Sequence, residues 1–396
     1  MKFIKKEDEY KFVRDLTSKK ARFQAKYRTE GELKELRRKL SNYEKQIARI
    51  GGPLNRILHI EIEKKMEELI SKKKELKEML EYIDRYILEK ANVIGSTIIR
   101  SHLGTMFDIT FDTVIIDECS QISIPLGLMG LIKGKKWVVI GDHLQLLPIF
   151  KNIKSNKIEL HAKLSFFSYL INKFRWDAYL SVHYRSLPDI IAFSKENVYK
   201  ERNIIIKVSK NSGRVCREYE RLLSSVDYLR YPVVFIHIAG TCKKEKGSGS
   251  IYNEEEVEVC REIIQTLKSL GIKYDKIGII APYVAQVKKL QEIFKDKNNI
   301  GDIEYIVNTV DSFQGKEKDI IIYSITGTDR NRINFASHPN RLNVALTRAK
   351  CRLIVVGNAN AIKRTKTKLN EFLRWIVNKG YLFDWESRRW MEESLA

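Results

Sequence analysis

Apolar residues in the first part of the chain recur at intervals of three and four positions, the spacing of one helix face. A first series ends before Gly51-Gly52-Pro53, and a second runs from Ile62 to Ile87. The first series consists of Leu33, Leu36, Leu40, Tyr43, Ile47 and Ile50. Two such helices around a Gly-Gly-Pro break predict an antiparallel helical hairpin over residues 29–90, about 40 Å long.

From Ala91 onward the pattern changes to short apolar segments separated by amphipathic ones. The predicted strands are Val114–Ile116, Trp137–Ile140, Val233–Ile238, Ile277–Ala281, Tyr305–Val307, Ile320–Tyr323 and Leu353–Val356. The predicted helices include Glu254–Leu270, Val284–Phe294 and Leu342–Ala349. Strands that alternate with helices predict an α/β fold in which helices cover both faces of a parallel sheet. Between two strands, Lys243–Ser250 has the composition of a mobile surface loop.

Polar side chains follow the first two of these strands. Asp117 and Glu118 come directly after the strand that ends at Ile116, and Asp142 and Gln145 lie in the loop after the next strand. Ligands of open α/β sheets bind outside the carboxyl ends of the strands. There, one carboxylate can hold Mg²⁺ while another activates water, so the pattern favours a nucleotide site over a simple surface pair of acids.

Charge narrows the choice of partners. The chain has 396 residues, a net charge of +22 and an isoelectric point near 9.6, and its length fits two or three domains. So basic a protein usually binds a polyanion, with nucleic acid as the first expectation and an anionic membrane surface as the alternative. The helical hairpin could guide a nucleic-acid strand or be a plain structural coiled coil, since heptads report packing rather than partners.

The cysteines and the apolar runs bear on the compartment. The five cysteines are scattered without a C-x-x-C pair, which argues against a zinc site and against a disulfide framework. We therefore expect a reducing, intracellular or cytoplasmic location. No apolar run reaches the length of a membrane span, and residues 1–20 are charged rather than signal-like, so we expect no membrane insertion.

Five segments in order resemble superfamily 1 helicases, most closely the 5′-to-3′ branch of nonsense-mediated-decay and DNA-replication helicases, of the AAA_11 and AAA_12 type. They are VIIDECSQ (114–121), GDHLQLLP (141–148), LSVHYRSLPDI (180–190), NTVDSFQGKEKDIIIYS (308–324) and RLNVALTRAKCRLIVVGN (341–358). The resemblance covers roughly residues 91–360, and an ordered set of five segments is very specific.

The resemblance implies roles for individual residues in binding and hydrolysing ATP with Mg²⁺. Asp117 would hold the Mg²⁺ ion, Glu118 would polarise the attacking water, and Gln145 would sense the γ-phosphate. Arg185 and Arg348 resemble arginine fingers, whose forked guanidinium groups match phosphate oxygens.

Further positions resemble contacts to the nucleotide or to a nucleic acid. Tyr184 would stack on the base, Gly315 would allow close approach of the backbone, and Glu317 would reach the ribose or the phosphate-side network. The residues that resemble nucleic-acid contacts are Thr97, Pro282, Tyr283 and Thr309. Strand-end caps are the alternative reading of the two threonines, and Ala281 replaces the threonine that the family usually has before this proline.

One family element is absent from these 396 residues. The phosphate-cradling loop G-x-x-x-x-G-K-[ST] does not occur, whereas the family carries it upstream of the D-E strand. We therefore expect two RecA-like domains, the first incomplete at its N-terminus and carrying the hairpin. The expected segments are residues 1–28, the hairpin at 29–90, the rest of domain 1 at 91–160, and domain 2 at 161–396.

Three functional hypotheses follow. The first is an ATP-dependent helicase or translocase that moves on single-stranded DNA or RNA and takes its phosphate loop from elsewhere, for example from a separate polypeptide. The second is a non-catalytic remnant that still binds nucleic acid. The third, a membrane-surface coiled-coil protein, leaves the five segments unexplained.

Overall fold

The computed structural model describes residues 53–150, 162–174, 178–294, 306–313 and 315–391, together with Ile303 and scattered positions between 31 and 45. The chain divides into two compact units. The smaller consists of Met1–Val114 with Leu128–Trp137, and the larger of Ile115–Gly127 with Val138–Ala396.

A long helix dominates the described part of the smaller unit. Helix α1 runs from Pro53 to Lys90, and its proline stands at the first helical position, where a missing N–H does no harm. The predicted second helix of the hairpin is thus confirmed, with a start nine residues before Ile62. Most of the predicted first helix lies outside the described residues, so the hairpin itself stays a prediction. Outside this helix, the buried Lys133 ammonium of the same unit donates to the carbonyls of Met106, Phe107 and Ile109.

The other helices in the described part of the chain are shorter, and its strands fall into four sheets. The helices are α2 Ile124–Leu131, α3 Phe166–Phe174, α4 Pro188–Ser194, α5 Arg217–Ser224, α6 Glu254–Ser269, α7 Val284–Glu292, α8 Arg330–Ala336, α9 Pro339–Leu346, α10 Ala359–Lys363 and α11 Lys368–Asn378. The strands are β1 Phe111–Ile116, β2 Gly134–Val139, β3 Val182–His183, β4 Lys207–Val208, β5 Val233–His237, β6 Lys243–Lys244, β7 Ile251–Tyr252, β8 Ile277–Ala281, β9 Val307–Thr309, β10 Lys318–Ser324, β11 Ala349–Gly357, β12 Leu382–Asp384 and β13 Arg389–Trp390.

The main sheet belongs to the larger unit and has the strand order β13-β12-β5-β11-β10-β8-β9. All its pairings are parallel except that of β12 with β13. Side chains alternate between two cores: Ile321 and Tyr323 of β10 face one, and Ile320 and Ile322 face the other. Helix α11 packs into the first core and α6 into the second, so both faces of the sheet are buried, as parallel sheets require.

This architecture confirms the predicted α/β fold with a parallel sheet. Each of the seven predicted strands and three predicted helices overlaps an element of the structure. Strand β8 has the predicted ends, whereas others are shifted; the strand expected at Tyr305–Val307, for example, is β9 at Val307–Thr309. Strands β12 and β13 were not predicted. Instead of a plain loop, Lys243–Ser250 forms β6 and the turn of a small antiparallel hairpin with β7.

The cysteine prediction needs a correction. Cys216 and Cys351 form a disulfide with an S–S distance of 2.17 Å, although 135 positions separate them in the sequence. The fold brings them together, which spacing along the chain could not reveal. Within the described ranges, no group of three or more His, Cys, Asp or Glu residues is arranged to hold a metal ion. No described helix is long and apolar enough to cross a membrane.

Candidate nucleotide site

The acidic pair after β1 adopts an unusual backbone conformation. Glu118 has a φ of +52°, in the left-handed region, and its amide donates to Asp117 Oδ1 at 2.8 Å. The chain then turns through Cys119–Gln121, and the Cys119 amide donates to the Ile140 carbonyl at 2.9 Å. A left-handed residue other than glycine is strained by about 1–3 kcal/mol and is concentrated at functional sites. Both carboxylates are exposed at this turn.

The loop after β2 begins with a glycine that has no room for a side chain. A Cβ atom on Gly141 would lie 2.9 Å from Phe167 Cγ and 3.0 Å from the Ser120 amide nitrogen. Next to it, Asp142 Oδ1 accepts from the Leu144 amide at 2.9 Å, and Asp142 Oδ2 accepts from Gln145 Nε2 at 2.9 Å. The loop is therefore closed on itself and presents the Gln145 side chain in a fixed position.

Helix α9 holds the same loop from the other side. The Asn340 side-chain amide donates to the carbonyls of His143 (2.9 Å) and Gln145, and Asn343 Nδ2 donates to the Leu144 carbonyl at 3.0 Å. Three consecutive backbone carbonyls of the loop are thus bound by one helix. The next turn of this helix leads directly to Thr347 and Arg348.

Arg348 is almost fully buried, with 2% of its surface exposed. Its Nη2 donates to Gln145 Oε1 at 3.1 Å, and its Nε donates to the Val344 carbonyl at 3.2 Å. Burial, followed by repulsion from Arg185, lowers the pKa of Arg348 to about 10, and the charge of Glu118 acts in the opposite direction. The guanidinium therefore stays charged at neutral pH and lies within electrostatic reach of the acidic turn.

Arg185 and Glu317 form an ion pair beside this arginine. Arg185 Nε lies 2.5 Å from Glu317 Oε2, and Arg185 Nη1 donates to the Thr347 carbonyl at 3.4 Å. Glu317 also pairs with Lys350 at 2.7 Å. Burial raises the pKa of Glu317, but the two cations outweigh it and hold the pKa below its ordinary value. The carboxylate is therefore ionised and links two basic side chains.

Two further predicted site residues lie next to this ion pair in the sequence: Tyr184 directly precedes Arg185, and Gly315 lies two residues before Glu317. The Tyr184 side chain is 66% exposed, so its ring can receive a planar ligand. Gly315 has a φ of +75° and open space around its Cα, so the backbone conformation and not crowding requires glycine there.

The two ends of the main-sheet strands carry different predicted residues. Glu317 and Arg348 directly precede β10 and β11, at the amino ends of these strands. Pro282, Tyr283 and Thr309 lie at the carboxyl ends of β8 and β9, where Ala281 pairs with Thr309.

The side-chain hydroxyls of the predicted nucleic-acid residues already have hydrogen-bond partners within the protein. The Tyr283 hydroxyl donates to the Arg332 carbonyl at 2.7 Å, and Thr309 Oγ1 accepts from the Ser312 amide at 3.2 Å. Thr97, in the smaller unit, accepts from the Arg100 amide at 3.3 Å. Both threonine hydroxyls thus accept from the backbone amide three residues on, and their nucleic-acid contacts stay predictions.

The structure brings together Gln145, Arg185, Glu317 and Arg348, with Glu118 within electrostatic range. Neighbours that hold this group in place and were not among the predicted site residues include Tyr199, Asn340, Asn343 and Lys350. The two asparagines stand three positions apart on one helix, a spacing that places them on one face and could have signalled a shared task. A lone tyrosine such as Tyr199 gives no such signal.

Comparison with known proteins identifies the family of this chain. A family model described as an AAA domain, AAA_12, matches residues 162–360, and a second with the same description, AAA_11, matches residues 4–153. The chain belongs to the superfamily 1 helicases, in the group of nonsense-mediated-decay and DNA-replication helicases.

Two curated relatives illustrate the extent of the match. The uncharacterized ATP-dependent helicase MJ0104 of Methanocaldococcus jannaschii is 35% identical over 79% of this chain and 45% of its own length. The ATP-dependent helicase NAM7 of Saccharomyces cerevisiae is 31% identical over 94% of this chain and 38% of its own length. The chain thus spans less than half of either relative. A solved complex of an Arterivirus helicase, nonstructural protein 10, with DNA matches 63% of this chain and 40% of its own chain at 15% identity. Its TM-score of 0.31 is too low to support an inference.

Proposed function

We propose that this chain is part of an ATP-dependent helicase or translocase, which couples nucleotide hydrolysis to movement on single-stranded DNA or RNA. The observation that carries the proposal is the 3.1 Å hydrogen bond between Arg348 and Gln145, beside the Arg185–Glu317 ion pair. A buried cation in contact with a polar sensor group suits recognition of a terminal phosphate, because its charge is little screened there.

Each residue then has a chemical task. Glu118 orients and polarises the attacking water, Gln145 contacts the γ-phosphate, and the two arginines neutralise the charge that develops on it. Tyr184 stacks on the base. When a nucleotide arrives, Glu317 exchanges part of its pairing with Arg185 for the ribose or phosphate network, which frees that arginine.

The residues present fit a magnesium ion bound together with the nucleotide. Mg²⁺ is commonly held by one or two carboxylates, water and substrate phosphates rather than by a complete protein cage. Asp117 is an exposed carboxylate at a strand end and can serve as that single protein ligand. The bound ion would supply charge neutralisation on the phosphates.

The phosphate loop has to come from residues outside this sequence. We propose that another segment or a separate polypeptide supplies it, since the five matching segments contain the other nucleotide contacts. The two halves of the arrangement would be RecA-like domains with ATP between them.

Nucleic acid would lie along the carboxyl ends of the main sheet. Pro282, Tyr283 and Thr309 are at that edge, and the net charge of +22 favours a polyanion. The direction of movement rests on family resemblance alone, and the proposal covers both DNA and RNA.

The second candidate function is a non-catalytic nucleic-acid-binding remnant. One observation favours it: Glu317 is paired with both Arg185 and Lys350. In that case the basic surface would be retained while hydrolysis is lost.

The test compares ATP hydrolysis by the purified chain with and without an added polypeptide that carries a phosphate loop of this family. Single-stranded oligonucleotide is present throughout, and Glu118→Gln serves as the catalytic control. We expect weak or no turnover alone and clear turnover after addition, abolished by Glu118→Gln. If addition gives no turnover above that of the added polypeptide alone, the helicase proposal is wrong and the remnant is favoured.

A further inference from the structure

Tyr199 lies in the interior beside the loop that carries Gln145. It ends the π-helical turn Lys195–Tyr199, which follows α4, and only 8% of its surface is exposed. Its hydroxyl donates to Asp142 Oδ2 at 2.6 Å and accepts from Asn343 Nδ2 at 3.1 Å. Single π-helical turns are rare and frequent at functional sites. None of the matching motifs gave this tyrosine a role.

The hydrogen bonds of this group have a fixed direction. The carboxylate of Asp142 can only accept, and the guanidinium of Arg348 can only donate. Gln145 lies between them, so its Nε2 must face Asp142 at 2.9 Å and its Oε1 must face Arg348 at 3.1 Å. An inverted amide would set donor against donor and acceptor against acceptor.

Tyr199 holds the acceptor end of this chain of hydrogen bonds. Burial, and then the charge of Asp142, raise the pKa of Tyr199 above its ordinary value, so the hydroxyl remains a donor. Asp142 Oδ1 is occupied by the Leu144 amide, which leaves Oδ2 for Gln145 and Tyr199. Without the tyrosine hydroxyl, Oδ2 loses its shortest hydrogen bond, and Asn343 Nδ2 loses one of its two acceptors.

We propose that Tyr199 is a positioning residue that, through Asp142, fixes the Gln145 amide with its oxygen towards Arg348. The proposal deepens the helicase function and rests on it for its catalytic consequence. The amide would be oriented before a nucleotide arrives, so that sensor and arginine finger meet the γ-phosphate as one unit. Preorganised groups of this kind need no rearrangement during the reaction.

The first test follows the Gln145 side-chain amide by NMR in the full chain, selectively labelled with ¹⁵N-glutamine and without nucleotide. Gln145→Ala identifies the signal by its loss. Tyr199→Phe keeps the ring and removes only the hydroxyl. Tyr228→Phe is the matched control, because its half-buried hydroxyl likewise donates to a side chain, that of Thr266 at 2.8 Å.

In Tyr199→Phe we expect the Gln145 amide protons to shift and to exchange with water about tenfold faster, as for a weakened bond to a carboxylate. Tyr228→Phe should leave the Gln145 signal in place. An unchanged Gln145 signal in Tyr199→Phe, or an equal change in both variants, overturns the assignment.

The second test measures hydrolysis with the added phosphate-loop polypeptide. Tyr199→Phe should lower kcat about tenfold and leave KM for ATP nearly unchanged, since the amide acts on the terminal phosphate in the transition state. A raised KM with unchanged kcat would contradict positioning. If wild-type protein shows no turnover at all, the proposed function fails, while the Gln145 signal still decides whether Tyr199 orients the amide.

Discussion

At the scale of single residues, Arg348 combines nearly complete burial with a retained charge. Its contacts to Gln145 Oε1 and the Val344 carbonyl fix the guanidinium plane, so substitution removes both a charge and a geometry. In phosphoryl transfer an arginine finger contributes about 10³–10⁵ in rate. In the enzyme completed with a phosphate loop, we predict that Arg348→Ala lowers turnover by orders of magnitude, measured as steady-state ATP hydrolysis.

Two further measurements separate a role of Arg348 in hydrolysis from a role in nucleic-acid binding. Arg348→Lys should rescue poorly, because an ammonium group cannot reproduce the fork. Oligonucleotide binding without ATP should stay nearly intact in both variants, since Arg348 lies at the amino ends of the strands. Weakened oligonucleotide binding together with normal turnover would show that this region is a binding surface only.

Glu256 is a second residue whose burial has a measurable consequence. It is fully buried, accepts from Ser324 Oγ at 2.5 Å and from the Thr326 amide at 2.9 and 3.0 Å, and burial raises its pKa to about 8. Its unfolded-state pKa is near 4.5, so the folded state binds the extra proton between these values. Stability should therefore fall as pH rises from about 4.5 to 8.

Glu256→Gln should remove that part of the pH dependence. The glutamine oxygen can accept from Thr326 and its amide can donate to Ser324, so the fold should survive. Because one pKa unit corresponds to about 1.4 kcal/mol, the difference between the two curves should reach a few kcal/mol. Chemical denaturation at pH 5 and pH 8 measures it, with the exposed Glu258→Gln on the same helix as control. Parallel curves for wild type and Glu256→Gln would show that the carboxyl is ionised throughout.

The residues that sequence could predict are those with a short-range pattern. The five motif segments led to Gln145, Arg185, Glu317 and Arg348, which the fold brings together. The partners that hold them were not predictable in this way: Tyr199 is far from Asp142 in sequence, and the left-handed turn at Glu118 has no glycine to mark it. Likewise, only the folded chain shows that Glu317 is shared by Arg185 and Lys350.

At the scale of elements, apolar runs in the sequence were sufficient to predict the central strands of the main sheet but not the short strands at its β12–β13 edge. Strands β5, β8, β10 and β11 each contain an apolar run, because helices cover both faces of the sheet. Strands β12 and β13 are three and two residues long and carry Asp384 and Arg389, so periodicity could not detect them. Helix α6 begins at the predicted Glu254, where the Asn253 side chain caps it. Helix α9 begins at Pro339, three residues before the predicted Leu342, because proline is favoured at the first helical position whatever the apolar pattern.

At the same scale, we predict that helix α9 stabilises the loop after β2, because its two asparagines bind the backbone carbonyls of that loop. Asn340→Ala removes the donors to the His143 and Gln145 carbonyls and leaves them without that partner. An unsatisfied buried polar group costs about 1–3 kcal/mol, so the free energy of unfolding should fall by that amount. Urea denaturation measures it. Asn334→Ala, on the exposed side of α8, is the matched control and should change stability little. Equal effects of the two substitutions would mean that α9 does not hold the loop.

At the scale of the whole molecule, nucleic-acid binding could depend on the net charge of +22 alone or on basic side chains at the carboxyl ends of the main-sheet strands, and the two cases predict different results. Single-stranded nucleic acid should bind without ATP, and the logarithm of its affinity should fall linearly with the logarithm of salt concentration. Arg330, which is exposed and begins α8 beyond the carboxyl end of β10, lies at the proposed nucleic-acid edge. Lys273 is also exposed but precedes β8, at the amino ends of the strands.

We predict that Arg330→Gln weakens oligonucleotide binding and lowers the salt slope by about one unit, the signature of one lost phosphate contact. Lys273→Gln removes the same charge from the whole molecule and should change neither. Titration of a labelled oligonucleotide at several salt concentrations compares the two variants with wild type. Equal losses from both would mean that net charge alone attracts the strand, and affinity insensitive to salt would contradict a polyanion as the partner of this surface. A difference confined to Arg330 would mean that the nucleic-acid strand follows the carboxyl ends of the main-sheet strands, away from the two arginines proposed to act on ATP.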